Sequence, residues 1–153
     1  MADLVTDAIA DLTAKMVTVS AIKNRAVYVY DQDDLLNAEK NLKTPCAGVL
    51  YVGMAINEQS TRREQSVLLT AQIAFIGGEF CELPNSSVKE RTTKILDDIR
   101  RAVIAAPTTT TQLVWRFESE APFEIAREAG TKLLGYVQVW TTPLIITEQF
   151  PAQ

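Results

Sequence analysis

The chain has 153 residues, 47% hydrophobic and 22% charged, which is about one domain with enough apolar material to build a core without a metal or disulfide. Its net charge of −4, from 19 acidic and 15 basic residues, lacks the basic surplus that marks a nucleic-acid binder. The absence of histidine removes the commonest general acid–base group and the commonest metal ligand.

The start of the chain, from Met1 to Ser20, has neither the basic opening nor the unbroken apolar run of a signal peptide. No stretch approaches the ~18 apolar residues that cross a membrane. The expectation is a protein made in the cytoplasm, without membrane association. Residues 3–20 instead read as an amphipathic helix. Val5, Ile9, Leu12, Met16 and Val19 recur at spacings of four, three, four and three, which puts them on one face. Asp3 is placed to cap it, and Asp7 lies in the first turn, where the helix dipole favours negative charge.

Arg25 to Tyr30 reads as a strand, with Val27 and Val29 on one side and Tyr28 and Tyr30 on the other. The acidic run at Asp31, Asp33 and Asp34 invites a calcium loop. Such a loop needs glycine at its sixth position and glutamate at its twelfth, where this chain has Leu36 and Leu42. The aspartates are better read as caps of a short helix from about Leu35 to Leu42.

Val49 to Ile56 and Ser66 to Ile76 read as two long strands, the second ended by Gly77-Gly78. The polar connection 57–65 between them predicts an antiparallel hairpin with an extended tip. Residues 86–106 give the strongest helical pattern. Thr92, Ile95, Ile99 and Ala102 share a face, Ser87 and Glu90 have capping-box spacing, and Pro107 stops the run. Leu113 to Glu118 reads as a strand, Pro122 to Arg127 as a strand or turn, and Leu133 to Thr141 as a strand that ends or reaches a sheet edge at Pro143. The sum is a single α+β domain over residues 1–153. It is a mainly antiparallel β-sheet with two long helices and one short helix packed on it, and a loose tail at about 148–153.

Motifs for chemistry are missing. There is no GxGxxG, no GxxxxGK[ST] and no GxSxG, and a serine or cysteine nucleophile would have no histidine base. Cys46 and Cys81 read as reduced, half-buried thiols. Glu118 with Glu120, and Glu124 with Glu128, are the carboxylate pairs that a cleft could turn to acid–base work; around a turn they serve solvation. No catalytic residue, cofactor site or metal site is assigned. Arg62, Arg63 and Glu64 at the hairpin tip suit a solvated end, a nucleic-acid backbone or an acidic neighbouring subunit. Trp115, Tyr136 and Trp140 suit a core, although aromatics are also enriched where subunits meet.

Three stretches together resemble the tail-terminator, or tail-completion, proteins of long-tailed bacteriophages: the helix LVTDAIADLTAKM, the hairpin TPCAGVLYVG…QSVLLTAQIAFIGG, and the helix SSVKERTTKILDDIRRAVI with late strands ending in GYVQVWTTPLII. The likeness is one of layout over most of the chain, since that family has no short signature. It implies a non-enzymatic virion protein of the tail and neck, a homo-hexameric ring that caps the tail tube and ends its polymerisation. The implied partners are the tail-tube protein, the head–tail connector or stopper protein and possibly the tail sheath. DNA would pass through the lumen without sequence-specific binding, which a weakly acidic composition suits. Arg62, Arg63, Glu64, Trp140, Pro143 and Leu144 are then the candidate subunit-interface residues. A head-completion or stopper protein is the neighbouring reading. A small cytosolic ligand-binding or carboxylate-dependent enzyme domain is the reading from another class, with a ligand-induced rise in melting temperature as its mark.

Overall fold

The computed structural model describes residues 3–22, 25–28, 45–59, 64–81, 86–105, 107, 112–126 and 131–147. Helix α1 spans Leu4–Met16, and Asp3 caps it as expected, its carboxylate accepting a hydrogen bond from the Thr6 amide at 2.7 Å. The helix ends four residues before the expected Ser20. From Val17 on, the backbone tightens into bonds three residues back, Val17 to Ala14 at 3.2 Å and Val19 to Met16 at 3.0 Å. Val19 and Ile22 stay buried through these turns, so the apolar stripe outlives the helix.

Strand β1 is Ala26–Tyr28, β2 is Cys46–Gln59 and β3 is Glu64–Cys81. β2 and β3 form the expected antiparallel pair and run further at both ends than alternation alone indicated. Gly77-Gly78 does not end β3. The pair sits at a bulge, with Gly78 at φ 146°, and the strand continues to Cys81. A Cβ at Gly77 would fall on the Thr92 side chain, so this glycine lets helix α2, Ser86–Ile104, lie close on the sheet. Because α2 starts at Ser86, the Ser87–Glu90 pair lies inside its first turn and not at its cap.

Strand β4, Arg116–Ala126, joins the two segments expected separately at 113–118 and 122–127. It bulges between Phe117 and Ser119 and holds Pro122 on the sheet edge, where a residue without an amide proton is tolerated. Strand β5, Thr131–Thr147, runs straight through Pro143, which pairs with Leu68 of β3.

The sheet order is β1-β2-β3-β5-β4, antiparallel except for the short parallel pair β1–β2. This is an α+β fold: four long antiparallel strands and two helices, as the element pattern predicts. The expected short helix Leu35–Leu42 and the tail 148–153 lie outside the described residues. Both helices cover one face. Ile9, Leu12 and Met16 of α1 and Ile95, Leu96 and Ile99 of α2 close over Val49, Leu69, Ile73, Phe75 and Trp140. On the opposite face Cys46, Ala74, Ile76 and Leu133 form a second buried group with Phe123 packed on it. The Cys46 thiol is fully buried where the sequence suggested half-burial, because this start of β2 packs against Ala74, Ile76 and Leu133. The Cys81 side chain lies outside the described residues.

Candidate functional site

Two of the four carboxylates considered for acid–base work, Glu118 and Glu120, are tied into the fold. Glu120 of β4 accepts from Arg100 of α2 at 2.6 Å and from the Gln138 amide of β5 at 2.9 Å. The Gln138 carbonyl in turn accepts from the Trp140 indole at 3.0 Å. This chain of bonds carries an ionised group on the sheet face down to a fully buried tryptophan, and satisfies the polar atoms of Gln138, itself fully buried. Glu118 accepts from the Thr141 hydroxyl at 2.8 Å. Glu124 is placed on β4, and Glu128 lies outside the described residues.

A second polar tie joins α1 to the segment before β4. Asp11 accepts from the Trp115 indole at 2.8 Å and the Leu113 amide at 3.3 Å, and its carboxylate lies 3.5 Å from the Lys15 ammonium. Both charged side chains are about nine-tenths buried. Neither tie was visible in the sequence, because the partners that join separate elements lie 18 to 104 residues apart and meet only through register and packing. Among the described residues no three of histidine, cysteine, aspartate and glutamate gather as a metal site. Among them, too, no helix is long and apolar enough to cross a membrane.

Arg62 and Arg63 lie outside the described residues. Glu64 opens β3 opposite Thr147. Trp140 is fully buried, with the Phe117 ring edge-on at 5.2 Å, so the folded chain offers none of its surface to a neighbour. Pro143 is exposed and Leu144 half-buried, and both lie on a stretch of β5 past Thr141, where β4 pairing has ended. The structure thus brings Glu64, Pro143 and Leu144 to one end of the sheet and leaves Trp140 in the core.

That end carries Ile56, the most exposed large apolar side chain among the described residues. β2, β3 and β5 run on beyond Leu69, the last fully buried β3 residue, for five residues or about 17 Å. Its rows are Ala55–Leu68–Pro143, Ile56–Val67–Leu144, Glu58–Ser66–Ile145 and Gln59–Gln65–Ile146. Ile56 is 72% exposed, Ile145 60% and, one bulge closer to the core, Val52 52%. Ile56 on the β2 margin and Ile145 on the β5 margin lie open on opposite faces of this three-stranded end, while Val67 between them is buried. A separate shallow groove of about 410 Å³ follows α1 past Ala10, Ala14 and Val17.

No protein-family model and no curated protein matches the sequence. The chain is similar in structure to a chain of the virion of a native gene transfer agent particle. That similarity has a TM-score of 0.46 at 10% identity, over 94% of this chain and all of that one. It is also similar to the core region of PilO from the type IV pilus system of Pseudomonas aeruginosa, with a TM-score of 0.28 at 9% identity, over 82% of this chain and all of that one.

Proposed function

We propose that the chain is a structural subunit of a phage-like virion, acting as the ring that caps the tail tube, stops its growth and joins it to the head-side connector. The observation that carries this reading is the apolar three-stranded end, exposed on both faces and both margins in the single chain. An isolated soluble protein gains nothing from such a surface, whereas an assembling subunit buries it. Glu120 and Glu118, one of the two carboxylate pairs considered, are consumed by the ties to Arg100, Gln138 and Thr141, which supports a role without catalysis. The layout resemblance to tail terminators supplies the ring and its position in the particle. Such a ring closes by head-to-tail contacts, each copy using two different surfaces.

Light scattering on the purified protein, alone and with assembled phage tail tubes, tests this. A closed oligomer near six copies, or a monomer that adds as one ring at tube ends, is the expected result. A monomer or dimer that ignores tubes overturns the reading.

A further inference from the structure

The three-stranded end has two margins, and they are different. On one side, β1 pairs with β2 only at Ala47–Val49, and among the described residues no strand follows along β2 beyond that point. On the other, β4 pairs with β5 only as far as Thr141. The Thr142 hydroxyl still donates to the Val114 carbonyl at 2.7 Å, so among the described residues the margin of β5 without a neighbouring strand begins at Pro143. Both stretches lie on the same rows of the sheet, with Ile56 at one margin and Ile145 at the other. From Leu144 to Thr147 the β5 margin carries neither charge nor proline; Pro143 guards its start and Glu58 is the one charge on the β2 stretch, while lysine is absent from both.

We infer that copies of this chain join edge to edge, the β5 stretch 143–147 of one copy pairing with the β2 stretch 52–59 of the next. This deepens the ring reading and rests on it. β2 and β5 are each antiparallel to β3, so they run in the same direction. A rotation that carries one copy onto its neighbour without inverting the strands therefore pairs them in parallel. The contact is heterologous, uses each margin once, and repeats until the circle closes. The three-stranded ends then fuse into a continuous barrel, which removes every open edge. Three strands from each of six copies give a barrel about 35 Å across between opposite backbones, in the class that leaves an aqueous channel. The second copy is the occupant that fits, because the chain itself presents both complementary edges at the same level, with Ala55 and Ile56 of β2 level with Pro143 and Leu144 of β5.

Two single variants test the pairing, Ile56→Lys on the β2 margin and Ile145→Lys on the β5 margin. Both sites are more than half exposed, so folding is untouched, which an unchanged circular dichroism spectrum checks. Each variant alone is expected to lose the ring mass in light scattering. Each also keeps one intact margin, so an equal mixture at high concentration is expected to give a two-copy complex that neither forms alone. Variants that still form full rings overturn edge pairing while the ring reading stands. Ring loss without the mixed two-copy complex also overturns it. A wild-type chain that is monomeric with and without tail tubes overturns both readings. Protection of the 143–147 amides only when tubes are added to a chain that stays monomeric assigns the edge to the tube protein and overturns self-pairing.

Discussion

Replacing Asp11 by alanine removes the one carboxylate that serves three buried partners. Lys15, 7% exposed, is left as a charge with no neighbour of opposite sign at Asp11's place, and the indole N–H of Trp115, 3% exposed, loses its acceptor. Breaking a buried ion pair from one side costs about 3–5 kcal/mol, and an orphaned buried donor about 1–3 kcal/mol. The two overlap, since Lys15 can swing towards water, so a loss of about 4 kcal/mol is expected. In a domain of this size that lowers the melting temperature by about 10 °C. Urea unfolding followed by far-ultraviolet circular dichroism, at one fixed protein concentration, measures it. Asp97→Ala is the control. It removes only ion pairs to Arg100 and Arg101 whose side chains are 31% and 77% exposed, and it is expected to cost less than about 1 kcal/mol. The double variant Asp11→Leu with Lys15→Met recovers the ion-pair part of the loss, because an apolar pair of similar size needs no partners, while the Trp115 indole stays without its acceptor. An Asp11→Ala variant within about 1 kcal/mol of wild type, or a double variant no more stable than Asp11→Ala, would refute the claim that this cluster ties α1 to the strand-4 approach.

Gly77→Ala drives a methyl group into Thr92 and is expected to lose about 1–3 kcal/mol; adding Thr92→Ala, which also removes a buried hydroxyl with no hydrogen-bond partner, restores stability in the same melts. Gln138→Leu strands the Trp140 indole and takes one donor from Glu120, so a loss of about 2 kcal/mol is expected, with a changed tryptophan emission as a second readout. The Thr6 amide bonded to Asp3 holds that carboxyl below its ordinary 3.8. A depressed folded-state value means that the cap's stabilisation is complete above the unfolded value and is lost as pH falls through the folded one. Wild type should therefore exceed Asp3→Ala in melting temperature at pH 7, with the gap closing below about pH 4. A gap that persists unchanged at pH 2 contradicts the charged cap.

The sequence by itself determined what depends on near neighbours in the chain. The α1 stripe, the Asp3 cap, the α2 face and the β2–β3 pair all follow from spacings of two, three or four residues, and the structure carries them where periodicity put them. Only the tertiary structure decided what depends on packing between distant segments. Gly77-Gly78 looks like a strand terminator, yet neighbouring strands keep pairing through it because a bulge absorbs the extra residue. Pro143 looks like a stop, yet it remains in β5 because β3 pairs with it and β4 has already ended on the other side. Glu118 and Glu120 look like a free pair, and the sheet register hands one to Thr141 and the other to Gln138. Trp140 could have lain at a surface or a core; strand order put it under both helices. The margins of β2 past Val49 and of β5 past Thr141, which no other described strand pairs, follow from where β1 and β4 meet their neighbours, a fact of strand order that no local pattern encodes.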